Sequence, residues 1–380
     1  MAAPASSSKL FSPLHIGPYT LSSRIVMAPL TRFRADDAHV PLPMVKDYYA
    51  QRACVPGTLQ ISEATLISPR AGGQANVPGI WNDTQIKAWK EVVDRVHAAG
   101  GIIFLQLWAL GRSADAACRD REGTGPVTGP SAVPMAEDAT VPTPLTESEI
   151  WEIVHDYAAA ARNAVDGAGF DGVEIHAGSG YLVDQFLQDV SNRRTDAWGG
   201  SIEKRSRFAL EVVRAVVDAV GADKTGFRVS PFSRFQGMKM ADPMPQFASL
   251  VRALRQHRLA YLHLVEPRVA FIHFDESGDV EATETNDELI AIWGDTSPVM
   301  LAGGFTPQSA RKAVDDKYAG SDLAIIFGRY FISNPDLVFR VRNDVELTKY
   351  DRSKFYNVGE PAGYVDYPYS DKFAAEGAGL

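Results

Sequence analysis

The sequence predicts an α/β protein: a single (β/α)8 TIM barrel with extended loops at the C-terminal face of its sheet. Three observations carry that reading. Short apolar runs recur at residues 24–28, 59–62, 102–107, 172–175, 226–229, 261–265, 299–302 and 323–327. They are near-continuously apolar rather than alternating, as expected of parallel strands covered on both faces. Helical patterns separate them, and eight such units favour closure into a barrel over an open sheet. The length, 380 residues, suits one barrel with insertions, so residues 1–380 are read as one domain.

The helices follow from their punctuation. Residues 89–99 place apolar side chains at helical spacing and stop at Gly100-Gly101. Thr146 followed by Glu149 is a capping-box pattern, opening a helix expected to run to Gly167. Residues 205–220 are apolar on one side and end at Gly221, and residues 245–258 follow the same logic. Thr306 and Pro307 offer an N-cap and a first helical residue for a helix over 306–316. Two excursions, 110–145 and 266–285, leave the C-terminal ends of the third and sixth runs, where barrels build their sites.

Composition argues against several classes. A net charge of −9 without a clustered Lys/Arg face does not suit a nucleic-acid binder. Cys54 and Cys118 have neither metal-ligand spacing nor a disulfide framework, which points to a reducing compartment. No apolar run reaches the length of a membrane span. Residues 1–8, rich in Ala and Ser without the apolar stretch of a signal peptide, are expected to form a short frayed tail. A cytoplasmic protein acting on a small molecule, as monomer or homodimer, is therefore expected. The histidines show no zinc-hydrolase pattern, and none of the apolar runs carries a lysine for a Schiff base.

In barrels, polar residues at the C-terminal ends of strands read as functional. The runs here deliver Pro29-Leu30-Thr31-Arg32, Glu63-Ala64-Thr65, Gln106 with Trp108 and Arg112, His176 through Tyr181, Arg228 with Ser230, Glu266, Gly303-Gly304 and Gly328-Arg329. The last two suit a phosphate: glycine backbone can approach an anion, Arg329 can pair with it bidentately, and the following helix offers its N-terminus. The same residues also fit tight turns and a solvated arginine. Gly178-Ser179-Gly180 lacks the third glycine of a dinucleotide fingerprint. His176 and Tyr181, with Gln106 and Arg228 on neighbouring strands, make a stronger constellation than any one of them. Glu174 and Glu266 leave open a barrel glycosidase with two carboxylates. Bland roles fit them too: Glu174 as a satisfied strand residue, Glu266 as a loop anchor paired with Arg268.

Longer motifs add a resemblance. Met27-Ala28-Pro29-Leu30-Thr31-Arg32, Tyr48-Tyr49-Ala50-Gln51-Arg52, Gln106-Leu107-Trp108, Gly172-Val173-Glu174-Ile175-His176 with Gly180-Tyr181-Leu182, Asp184-Gln185-Phe186-Leu187, Asn192-Arg193-Arg194-Thr195-Asp196 with Trp198-Gly199-Gly200-Ser201, and Gly328-Arg329 with Ser333-Asn334-Pro335-Asp336-Leu337 resemble the Old Yellow Enzyme family of flavin-dependent ene-reductases. The resemblance spans about residues 9–370, and its style is that of the fungal and plant branch. It implies tightly bound, non-covalent FMN across the barrel mouth and NADPH as reductant. Hydride would pass from flavin N5 to the β-carbon of an α,β-unsaturated carbonyl or similarly activated alkene. The phosphate would rest on Gly303, Gly304, Gly328 and Arg329. Pro29, Thr31 and Ala64 would line the isoalloxazine, with the Thr31 hydroxyl on its O4 edge, and Gln106 and Arg228 would meet its pyrimidine side. His176 would donate to the substrate carbonyl and Tyr181 would protonate the α-carbon, with Trp108 and Tyr356 lining the substrate. Two departures stand out. Ser179 occupies the position where the family usually places His or Asn as second carbonyl donor, which implies a shifted pose or a different acceptor. Ala64 stands where glycine is common. A flavin-dependent double-bond isomerase is the alternative on the same scaffold, disfavoured by the presence of Tyr181.

Overall fold

The structure is a computed structural model that describes residues 8–267 and 284–376. Eight parallel strands form the barrel: β1 (Ile25–Met27), β2 (Leu59–Ile61), β3 (Ile102–Trp108), β4 (Gly172–Ala177), β5 (Thr225–Val229), β6 (Tyr261–Val265), β7 (Val299–Ala302) and β8 (Leu323–Phe327). Their order is β2-β1-β8-β7-β6-β5-β4-β3, and β2 pairs with β3 at Leu59↔Ile102, which closes the cylinder. A main helix follows each strand, with shorter ones besides it after β3, β4 and β8: α1 (Met44–Arg52), α2 (Asp83–Ala98), α3 (Glu147–Arg162), α4 (Ile202–Val220), α5 (Met244–Leu254), α6 (Asp287–Trp293), α7 (Pro307–Lys312) and α8 (Leu337–Arg342).

The continuous apolarity of the strands now has a cause. One set of alternate residues, including Leu105, Leu107, Ile175, Phe227, Leu262 and Ile325, packs with helix residues such as Trp89, Tyr157, Phe208 and Phe247. The other set, Val26, Leu59, Ile61, Phe104, Tyr261, Met300, Ala324 and Ile326, fills the barrel interior. An antiparallel hairpin, Leu14–Ile16 with Tyr19–Leu21, joins that second cluster. Interior volumes are complementary. A Cβ on Gly172 would lie 2.5 Å from the Phe104 ring, and one on Gly226 would lie 2.2 Å from the Tyr261 ring. These two glycines are there because the aromatic ring beside each fills the space a side chain would need.

Local signals explain most boundaries. Thr146 does cap α3 through a capping box with Glu149, and Thr306 caps α7 with Pro307 at its first turn. Both helices end in a wider turn, at Asn163–Ala168 and Ala313–Lys317. Helix α2 begins six residues earlier than its apolar pattern predicts, because Asn82 caps it by accepting from the Gln85 N–H. Helices α1 and α6 and the N-terminal hairpin were not expected; α1 has almost no amphipathic contrast, with Tyr48 and Arg52 as buried as Val45. The 110–145 excursion carries a short helix, Ala116–Glu122, and a strand pair, Thr128–Gly129 with Thr143–Pro144. Most of the 266–285 excursion, Arg268, and all of the expected N-terminal tail except Ser8 lie outside the described residues. Among the described residues, no helix is long and apolar enough to cross a membrane.

Candidate active site

Interior-facing residues turn polar toward the C-terminal ends of β3 to β6. Register places Gln106 level with Glu174, and Arg228 level with both His176 and His263. Glu174 is fully buried, with one oxygen accepting from Gln106 Nε2 at 2.7 Å and the other paired with His263 Nδ1 at 2.8 Å. Burial alone would raise its pKa, but His263, Arg228 and Gln106 together bring it below the ordinary glutamate value. Burial pulls His263 down, so it meets Glu174 as a neutral imidazole donating from Nδ1. The carboxylate charge is balanced by Arg228, whose Nε is buried with no partner among the described residues.

His176 stands beside this cluster. Burial first, then the Arg228 charge, pulls its pKa well below the ordinary histidine value. Its Nε2 lies 3.4 Å from Arg228 Nη1, while Nδ1 is buried without a partner among the described residues. A neutral ring that accepts from arginine at Nε2 carries its proton on Nδ1, so Nδ1–H is a donor waiting for an acceptor. The next turn brings in Tyr181. Its ring meets His176 and Trp108 edge-on, each at a centroid distance of 5.0 Å. Burial pushes the Tyr181 phenol up to about 12, against opposing pulls from Gln236 and Arg228.

That turn is tightly built. Ser179 has φ 57, and its N–H donates to Ser230 Oγ at 2.7 Å. A Cβ at Gly178 would press on Ser230 Oγ at 2.8 Å. Asp184 accepts from the Gly180 N–H at 2.8 Å and from Gln188 Nε2 at 2.7 Å, and burial raises its carboxyl to about 7.

The remaining expected residues ring the same mouth. Pro29 and Thr31 follow β1, Ala64 follows β2, and Trp108 ends β3 with its indole Nε1 buried and without a partner among the described residues. Gly304, at φ 65, follows Gly303 after β7; an ideal Cβ there would lie 3.7 Å from Arg329 Nη2, so the guanidinium after β8 converges on this glycine. Gly328 precedes the short helix Arg329–Ser333, and the Arg329 guanidinium lies 5.0 Å from the Tyr350 ring centroid. Tyr356 is 63% exposed and touches Phe33 edge-on at 5.7 Å.

Several strand-end residues do other work. Arg32 and Arg34 are buried and donate to backbone carbonyls. Arg32 donates to the carbonyls of Phe355 and Gly363, and Arg34 to that of Glu360, so they tie down the segment that carries Tyr356. Arg112 donates to the carbonyls of Pro134 and Gln236, joining the long excursion to the loop after β5. The two-carboxylate reading fails on Glu174, whose oxygens are both engaged, and on Glu266, which accepts from Asn286. His263 and Gln236 were not expected at the site. The alternation along β6 does turn His263 inward, a signal open to sequence; Gln236 has none.

The donor set fits a flavin. Arg228 Nε and His176 Nδ1 are buried with no partner among the described residues, and the Arg329 guanidinium converges on Gly304. The sequence pattern of the NADH:flavin oxidoreductase / NADH oxidase family matches residues 9–348. A chanoclavine-I aldehyde reductase of Penicillium roqueforti is 57% identical over 365 residues, 96% of this chain and 97% of that protein. An aldehyde reductase of a Cladobotryum species is 51% identical, covering 97% of each chain. Old Yellow Enzyme from a Pichia species superposes with a TM-score of 0.88 at 37% identity, over 97% of this chain and 95% of that one.

Proposed function

Because the chain belongs to the NADH:flavin oxidoreductase / NADH oxidase family, the FMN-binding oxidoreductases that include Old Yellow Enzyme, we propose that it is an ene-reductase that uses NADPH to saturate activated carbon–carbon double bonds. The observation that carries this is the edge-on packing of the His176 imidazole at the end of β4 on the Tyr181 phenol just beyond it, 5.0 Å apart, where burial disfavours the charged form of each.

Gly303, Gly304, Gly328 and Arg329 would hold the phosphate of FMN. Pro29, Thr31 and Ala64 would line one edge of its ring, and Gln106 and Arg228 the other. Bound there, FMN supplies hydride transfer from the nicotinamide to the β-carbon of the alkene. The chain's own residues do the rest. His176 donates its N–H to the substrate carbonyl oxygen, where negative charge collects as the β-carbon is reduced. An imidazole suits this role better than an imidazolium, which would hand over its proton to the oxygen. Tyr181 delivers a proton to the α-carbon, and its raised pKa keeps that proton in place until the carbon becomes basic enough to take it. Ser179, shorter than the His or Asn usual at its position, would leave the second bond to that oxygen to a water, with a shifted pose or a different preferred acceptor. Arg228 supplies a fixed positive charge where a reduced cofactor becomes anionic. Trp108 and Tyr356 line the substrate. Relatives named for the reduction of aldehydes support an aldehyde as the activating carbonyl. The presence of Tyr181 supports net reduction over double-bond isomerisation.

The test is the visible absorption spectrum of the purified protein before and after anaerobic NADPH, and again after an unsaturated aldehyde. A flavin spectrum that bleaches with NADPH and returns with the aldehyde is expected. A protein that is colourless and takes up no added FMN would overturn the reading.

A further inference from the structure

Glu174 places a charge where apolar volume would serve the fold as well. It is fully buried on β4, and so are its two partners, Gln106 on β3 and His263 on β6. Gln106 Nε2 donates to its Oε1 at 2.7 Å, and His263 Nδ1 donates to its Oε2 at 2.8 Å. An ionised carboxylate accepts from both donors at once, whereas a glutamine of the same shape has one acceptor end and one donor end. The charge persists because the surrounding groups hold the Glu174 pKa below the ordinary glutamate value. With Nε2 committed to the carboxylate, the Gln106 amide presents Oε1, an acceptor, to a ligand. An oxidised flavin offers one N–H on its pyrimidine side, and Oε1 can take it. Arg228 carries the opposite charge on the neighbouring strand β5, level with His263.

We propose that Glu174 is a positioning residue for the flavin site: it fixes the Gln106 amide with its oxygen toward the cofactor, and its charge offsets that of Arg228 and so holds down the reduction potential. This rests on the placement of FMN proposed above. No bond to Glu174 forms or breaks; it acts through its two partners and its field. The sign follows from charge. Reduced flavin is the more negative state, so a nearby anion disfavours it and a nearby cation favours it. Removing the Glu174 charge leaves the Arg228 guanidinium unbalanced, and both changes raise the potential. The native arrangement keeps the reduced cofactor a strong hydride donor toward the alkene and slows its formation from NADPH. Replacing the carboxylate by an amide also forces a choice. Either Gln106 turns over to give its oxygen to residue 174, or His263 must shift its proton from Nδ1.

The experiment measures the midpoint potential of FMN-loaded Glu174→Gln and Glu174→Asp against a reference dye, then each half-reaction by stopped-flow absorbance. In Glu174→Gln the equilibrium should move about ten- to a hundredfold toward reduced flavin, about 30–60 mV upward for a two-electron couple. Reduction by NADPH should then quicken while reoxidation by an enal slows. Loosened packing would slow both. Glu174→Asp keeps the charge and shortens the reach, so its potential should stay near the parental value while FMN dissociates faster. A Glu174→Gln potential that is unchanged or lower overturns the proposal and leaves the flavin reading standing. A Glu174→Asp potential as high as that of Glu174→Gln does the same. FMN held as tightly by Glu174→Asp as by the parent overturns the hold on Gln106. A parental protein that takes up no FMN overturns both readings. Should Glu174→Gln fail to fold around an unbalanced guanidinium, Arg228→Gln and the double variant are compared at about pH 9, where the carboxyl is ionised. The double variant should lie higher by the same factor, and equal potentials overturn the proposal.

Discussion

Two layers of one barrel, two residues apart along the same strands, are built for opposite purposes. In the lower layer Phe104 lies level with Gly172, and Tyr261 with Gly226. In the upper layer the same four strands present Gln106, Glu174, Arg228 and His263. The step between them is about 6.6 Å along a strand. Below, ring meets glycine and the space is filled. Above, a charged and hydrogen-bonded network leaves Arg228 Nε and the neighbouring His176 Nδ1 without partners among the described residues. Unsatisfied buried donors cost stability, and here they sit at the mouth, where the proposed ligand would satisfy them. A barrel tolerates such an upper layer because the lower one is closed with apolar volume.

Phe104→Ala tests the division most severely. It should empty the space beside Gly172 and destabilise the protein by about 3–5 kcal/mol, visible as a lower thermal midpoint. The ranking of substrates by kcat/KM should stay as it was; a changed ranking would show that the layers are not separable. Ser179→Asn probes the upper layer with a smaller effect. The left-handed φ of 57 at this position suits asparagine, so folding should be preserved. Reoxidation by enals should change by a few-fold, on the scale of one neutral hydrogen bond, with a shift in substrate ranking. If neither moves, Ser179 does not set the pose of the carbonyl. The smallest effect concerns pH. His176 titrates well below the ordinary histidine value and Tyr181 near about 12, so lowering the pH through the usual histidine range should not charge the imidazole, and raising it should not ionise the phenol. The reoxidation rate should therefore vary by less than about twofold between about pH 6 and 9. A limb centred near the ordinary histidine value would show that His176 is not the buried neutral donor argued for here.

The layers also differ in how much of them could be read without coordinates. The apolar character of the lower layer is written in the strand sequences, and so are the polar identities of Gln106, His176 and Arg228. Pro29, Thr31, Ala64, Gly304 and Arg329 were expected at the rim because barrels gather strand ends there. Arg32 and Arg112 were expected at the same rim for the same reason, yet they leave it to bind backbone carbonyls of other loops. The destination of a long flexible arginine depends on which carbonyls need a partner, and that is a property of the assembled loops.

Sequence by itself determined the alternation of strand and helix, the capping of α3 and α7, and the chemical types at the strand ends, because each depends on neighbours within a few residues. Only the tertiary structure decided that Glu174 is neutralised by groups on β3, β5 and β6, that burial holds His176 well below its ordinary pKa, and that Gln236 packs on Gly180. Burial and cross-strand register set those properties, and both arise between segments tens of residues apart once the barrel has closed.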